Sequence, residues 1–290
     1  MRIAQLFPKF VDHEDALELT KEVTLGELEA TLKWFKRDKS PGPDGWNVEV
    51  YLAFFETLGE DLLKVIEECR SIGRMYEAYN STFIALIPKS DNPTSFNDFR
   101  PISLCNCIYK IISKIIANCV QPILSNHISA EQFDFLQNRK IHEVVGTTQE
   151  ILHSIKTKKL EGMVLKVYLS KAFDIVNWLY IRMLLTHLGF PYEFIRWIMC
   201  CITNVSFSVL VNGATSPIFH SERRLREGCP LSPLLFLLIM EGLSRILKEE
   251  HRQGRLRGIK IANGCTLTHL LFVDDVLLFL NESIGDLTSL

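Results

Sequence analysis

Between Leu267 and Leu280 the chain reads Leu-Thr-His-Leu-Leu-Phe-Val-Asp-Asp-Val-Leu-Leu-Phe-Leu, two short apolar runs parted by adjacent acids. Apolar runs of this length around a two-residue turn predict a β-hairpin whose arms enter a core, with Asp274 and Asp275 at its tip. Two carboxylates so close repel, and burial drives one of them to hold a proton unless a cation lies between them. Aspartate is also a frequent turn former, so the pair taken alone fits turn chemistry as well as a cation site.

The rest of the chain supplies the partners of this hairpin. At 290 residues with 47% hydrophobic content it can build a sizeable core. The net charge of −2 excludes a global basic field, so any nucleic-acid contact has to come from local patches. Eight cysteines occur without a CxxC pair, which predicts reduced, buried thiols in an intracellular protein, nuclear or cytoplasmic, with no zinc site. The sequence opens with no secretory leader, and its longest apolar run, Leu234 to Met240, is too short to span a bilayer, so no membrane role is expected.

Along the chain, Thr24-Leu-Gly-Glu27 is a capping box ahead of a helix with Leu28, Leu32 and Phe35. Lys39-Ser-Pro-Gly-Pro-Asp-Gly45 is a loop, because proline and glycine disfavour helix there. A helix is expected from Val48 to Cys69 and a strand from Ser81 to Pro88. Asp98-Phe-Arg-Pro-Ile-Ser103 reads as a turn-like connector into a helix with Ile108, Ile111, Ile112, Ile115, Ile116 and Val120 on one face and Lys110 and Lys114 on the other. Arg139, Lys140, Lys156, Lys158 and Lys159 extend a locally positive region that Glu131, Asp134, Glu143 and Glu150 dilute; it suits a solvated surface and a phosphate-binding one equally. A strand from Val164 to Leu169, helices near 178–188 and 191–203, a strand at 206–212 and an apolar helix from about Leu231 to Leu247 complete an α/β or α+β pattern without repeats or linkers.

Six motifs carry a family resemblance as a set: Lys39-Ser-Pro-Gly-Pro-Asp-Gly45, Phe83-Ile-Ala-Leu-Ile-Pro-Lys89, Phe99-Arg-Pro-Ile-Ser-Leu104, Leu169-Ser-Lys-Ala-Phe-Asp174, Arg226-Glu-Gly-Cys-Pro-Leu-Ser-Pro233 and Phe272-Val-Asp-Asp275. In this order the chain resembles the reverse transcriptase domain of a plant LINE-type, non-LTR retrotransposon over nearly its whole length. The resemblance implies an α+β right-hand polymerase, with fingers and an antiparallel palm sheet backed by helices. Its domains would be 1–80, a helical extension on the fingers side, 81–160, fingers, and 161–290, an incomplete palm. It implies RNA-directed DNA synthesis with Mg²⁺, an RNA template, a DNA primer and deoxynucleotide triphosphates as partners, in which two metal ions steady the attacking and leaving oxygens. Asp274 and Asp275 would be the catalytic, metal-binding carboxylates, and Arg100, Arg139, Phe173, Glu227 and Gly228 would line the incoming nucleotide.

Two departures set this chain apart from that pattern. The third metal-binding acid of the family falls on Tyr168, a phenol that is neutral near pH 7. Asp174, six positions on, belongs to the motif without being the family's ligand. Glu227 stands where the family has glutamine, which puts a carboxylate against an anionic substrate. Arg224 and Asn138 stand where glycine is usual, and Cys119 where arginine is common. The chain also stops fifteen residues after Asp275, before a thumb, and shows no endonuclease or RNase H region. These features predict a truncated, degenerate reverse transcriptase domain with lost or severely impaired activity. A nucleic-acid-binding remnant without chemistry and a domesticated interaction protein are the alternatives.

Overall fold

The computed structural model of the protein describes residues 4–136, 139, 141–159, 162–260 and 266–281. They form an α+β fold divided into two compact units, each assembled from separate stretches of chain. Asn138, Lys140 and Cys265 lie outside the described residues.

The larger unit comprises Val11–Val120 and Phe173–Pro233. Several of its helices start where a short polar side chain satisfies otherwise unpaired backbone N–H groups. Helix α1, His13–Thr20, is capped by Asp12, and α2, Leu25–Trp34, by Thr24, whose hydroxyl accepts the Glu27 N–H at 3.2 Å. The single helix expected from Val48 to Cys69 is two, α3 (Val48–Ala53) and α4 (Phe55–Ile72), because Phe54 leaves helical geometry at φ −111°, ψ 23°. The short α5, Glu77–Asn80, leads into strand β1, Ser81–Pro88.

The expected connector at 98–103 is a correction: after Asp98 it is strand β2, Phe99–Cys105, paired antiparallel with β1. Pro101 has no N–H to donate, and β2 tolerates it because it is the edge strand. In this unit β1 also pairs in parallel with β4, Ser206–Val211, which carries the short β5 (Ala214–Thr215) and β6 (Phe219–His220). Helices α8, Trp178–His187, and α9, Tyr192–Ile202, pack on each other and bury Leu184, Leu185, Trp197 and Ile198.

The boundary between units falls inside helix α6, Cys107–His127, after Val120. This helix is long and apolar enough to cross a membrane by composition alone, but Ile111, Ile112, Ile115 and Ile116 are fully buried, as in a core helix. Lys114 is not on a solvated face as expected: it is buried, with its ammonium 3.6 Å from the Trp34 ring centre, and burial lowers its pKa. The seven described cysteines are free thiols, all but the half-buried Cys119 fully buried.

The smaller unit comprises 1–10, 121–172 and 234–290. It holds α7 (Ile141–Lys158), most of α10 (Ser232–Arg252), and a three-stranded antiparallel sheet ordered β3, β10, β9. Strand β3 is Met163–Tyr168, β9 is His269–Phe272 and β10 is Asp275–Leu280; a separate pair, β7 (Ile259–Lys260) and β8 (Thr266–Leu267), lies nearby in sequence. Val144, Ile151, Ile259, Leu270 and Phe279 form its core against the sheet.

Candidate active site

The predicted hairpin exists, shifted by one residue. Phe272 pairs with Asp275, so the two-residue turn is Val273-Asp274, and Asp275 is already the first residue of the central strand β10. Val273 sits at φ 51°, a left-handed conformation that a β-branched side chain resists. A positive φ at the first turn position alone is the sign pattern of a type II′ turn, which normally places glycine there.

On the other side of β10 the register sets Tyr168 directly opposite Asp275, and the Leu169 N–H donates to the Asp274 carbonyl at 2.9 Å. The strand that should complete the carboxylate cluster therefore delivers a phenol to the position in register with Asp275. Two residues back on the same face of β3, Lys166 reaches across, and its Nζ lies 3.0 Å from Asp275 Oδ2. Asp275 Oδ1 is buried with no hydrogen-bond partner among the described residues, and beside it lies a cavity of about 140 Å³ lined by Val144, Val145, Leu270 and Leu277.

A fifth residue joins this site without any signal in the sequence. The segment after α6 crosses onto β9: Gln132 bridges Leu271, and the Phe133 N–H donates to the Leu271 carbonyl at 3.2 Å. This brings Asp134 into the field of Asp274. Burial lifts the Asp134 carboxyl to about 7; a bond from the Phe135 N–H opposes the rise and the charge of Asp274 adds to it. The segment is pinned from below by the buried Glu241, which accepts from Ser129 N–H, Ser129 hydroxyl and Gln132 at 2.7–3.1 Å and pairs with Arg245 at 2.8 Å. Arg139 adds to the pinning: its guanidinium donates to the carbonyls of Ile128, Ser129 and Gln132 at 2.6–2.9 Å, so it holds backbone here.

The donor set does not fit the pair of divalent ions that the resemblance implies. Hard cations of that kind need several oxygen donors converging on one point. Among the described residues no group of three or more His, Cys, Asp or Glu is placed to hold a metal ion. Asp275 has an ammonium partner already, and the register position for a third acid carries Tyr168, which is 63% exposed.

The remaining expected residues belong to the larger unit. Phe173 lies in a short backbone pairing in which its carbonyl accepts the Leu225 N–H at 2.8 Å, while the Val176 carbonyl accepts the Arg224 N–H at 3.1 Å. Arg224 is held at φ 111°, a conformation suited to glycine, and ion-pairs with Asp174 at 3.4 Å. The glycine expected at this position thus has a conformational reason, and the arginine occupies it at a cost in strain. Glu227 is exposed, and its pKa is raised by partial desolvation first and by the charge of Asp174 second, with Arg224 offsetting. Gly228 follows at φ 78°, where glycine is required. Arg100 is exposed on the edge strand β2, and its side chain makes no ion pair or hydrogen bond among the described residues.

The residue that organises this loop was not singled out in the sequence. Arg226 is buried without a carboxylate partner; it donates to Asn80 Oδ1 at 2.7 Å, to Thr82 Oγ1 at 3.2 Å and to the Cys201 carbonyl, and stacks 3.4 Å from the Tyr109 ring centre. A guanidinium satisfies so many fixed acceptors because its donors form a planar fork. It anchors the Glu227-Gly228 turn to β1 and α9. The only sequence signal for it was its place beside the glycine of the motif.

The family described as Reverse transcriptase (RNA-dependent DNA polymerase) matches residues 87–287. The Transposon TX1 uncharacterized 149 kDa protein of Xenopus laevis is 28% identical over 261 residues, 90% of this chain and 20% of that protein. A retrovirus-related Pol polyprotein from a type-2 retrotransposable element of Drosophila melanogaster is 26% identical over 246 residues, 85% of this chain and 22% of its own length. An uncharacterized mitochondrial protein of Arabidopsis thaliana is 45% identical over 67 residues, 23% of this chain and 55% of its own. The chain thus spans about a fifth of the length of the two longer relatives.

Proposed function

The chain belongs to the reverse transcriptase (RNA-dependent DNA polymerase) family as a domain of the non-LTR retrotransposon kind, and on that premise we propose that this copy no longer performs nucleotidyl transfer. The observation that carries the proposal is the register of β3 on β10, which sets Tyr168 opposite Asp275 while Lys166 neutralises that carboxylate. We read the smaller unit, which holds the hairpin, as the palm and the larger as the fingers. The family reaction would take Mg²⁺, an RNA template, a DNA primer and deoxynucleotides.

The residues present bear on that reaction in two ways. A phenol neutral at working pH supplies no charge to hold a cation, and an ammonium on Asp275 competes for the carboxylate that remains. In the larger unit, a raised Glu227 beside Asp174 gives an acidic pair where an incoming triphosphate would need neutral or positive donors. Arg100, exposed and unpaired among the described residues, retains the chemistry for a phosphate contact.

Primer extension tests the proposal. With primed poly-adenylate, thymidine triphosphate and either Mg²⁺ or Mn²⁺, the chain is expected to give no product above a protein-free control. The Tyr168→Asp variant, which sets a carboxylate opposite Asp275, is expected to bind Mn²⁺ more tightly than the parent by electron paramagnetic resonance. Extension by the parent chain that Asp274→Ala abolishes would overturn the proposal.

A further inference from the structure

We propose that the larger unit carries a phosphodiester-binding pocket for single-stranded RNA, built from Arg74, Arg182 and Arg196 beside Tyr192. The pocket is a cavity of about 310 Å³ at the end of α4, where it meets α8 and α9. It is distinct from the residues that the family resemblance assigns to the nucleotide, and it rests on the premise that the chain meets nucleic acid.

The cavity is built by a glycine. Helix α4 ends at Gly73 in left-handed geometry, φ 63°, with its N–H on the Cys69 carbonyl. A Cβ there would lie 2.7 Å from Arg196 Nε, so only glycine lets Arg196 lie across the helix end and donate to the Ile72 carbonyl. Arg196 is thereby held as a fixed wall. Arg74, the next residue of the chain, and Arg182 of α8 line the same cavity; both are exposed and neither makes an ion pair or side-chain hydrogen bond among the described residues.

Three guanidinium groups thus converge on one cavity with no carboxylate among its lining residues. The start of α9 adds to the positive potential, since Pro191 gives it no side-chain cap and Tyr192, its first residue, lines the cavity; the exposed Glu193 in the same turn offsets part of this. Like charges so gathered are stabilised by an anion, and planar forks suit phosphate oxygens. Tyr192 is 59% exposed with Arg196 Cζ 5.9 Å from its ring centre, which leaves an aromatic surface beside the cations. A phosphate-binding groove next to an exposed aromatic ring is the arrangement that takes a single strand, backbone on the cations and base on the ring.

Fluorescence anisotropy with a labelled oligouridylate of about 20 nucleotides tests the pocket against the Arg74→Ala, Arg182→Ala double variant. Both arginines are exposed, and an unchanged melting curve would confirm that the variant folds. Loss of two phosphate contacts is expected to weaken binding about tenfold at low salt and to flatten the slope of log affinity against log salt by about 1.4, roughly 0.7 per contact. The Arg74→Lys, Arg182→Lys variant is expected to keep most of the slope. Equal affinity of parent and double alanine variant overturns the pocket and leaves the family reading intact. No RNA binding by the parent at low salt overturns both the pocket and the premise of nucleic-acid contact. Calorimetric binding of inorganic phosphate that the double alanine variant loses, with RNA affinity unchanged, overturns the RNA assignment.

Discussion

At the residue scale, local conformation exposes departures that side-chain chemistry alone does not. Val273 and Arg224 both occupy positive φ, and at each the expected backbone is one that glycine adopts without penalty. Arg224 gains an ion pair and stacks 5.1 Å from the Phe207 ring, which offsets some of its strain. Val273 makes no polar contact that would do so. Val273→Gly is therefore expected to stabilise the chain by about 1 kcal/mol, seen as a higher urea midpoint with an unchanged denaturant slope. A lower midpoint would mean that the valine side chain contributes more by packing than its backbone costs. Tyr168 was legible as a departure from its motif, whereas its position opposite Asp275 required the pairing of strands more than a hundred residues apart in sequence. Asp134 gave no signal at all, since it reads as one more acid diluting a basic stretch until the bridge to Leu271 brings it near Asp274.

At the scale of elements, the first strand of the hairpin is tied to helix α10 by a buried polar contact. His269 on β9 is fully buried; Thr268 Oγ1 and Ser244 Oγ each lie 2.8 Å from one of its ring nitrogens. Burial pushes its pKa down to about 4, Glu131 working against the shift and Lys248 with it. The folded state therefore favours the neutral ring, and the unfolded chain binds the proton first. Stability from this group is fully present above the ordinary histidine value of about 6.5 and is lost as pH falls towards about 4. The His269→Gln variant is expected to show a shallower decline in urea stability between those limits than the parent chain. Identical slopes would assign the acid sensitivity to other groups. The elements themselves were mostly readable from periodicity and caps, as Thr24 at α2 illustrates. The exceptions have structural causes: β2 tolerates Pro101 because it is an edge, and Phe54 breaks one apolar helix into two.

At the scale of the whole molecule, charge decides how the protein meets a polyanion. A net charge of −2 supplies no general attraction, so affinity must come from a few placed cations such as those at Arg74 and Arg182. Two such contacts give a log–log salt slope of about −1.4, and raising salt from about 50 mM to about 200 mM should weaken RNA binding about sevenfold. A slope several times steeper, measured by anisotropy, would point to a broad basic surface instead. The sequence by itself determined the family, the order of the motifs, most of the helix faces and the presence of Tyr168 where a third acid is expected, because these reside in neighbouring residues and their spacing. The tertiary structure decided that Lys166 holds Asp275, that Arg226 is buried under the Glu227-Gly228 turn, and that Arg74, Arg182 and Arg196 line one cavity. Such meetings depend on strand register and on the packing of helices distant in the chain, for which residue order carries no local pattern.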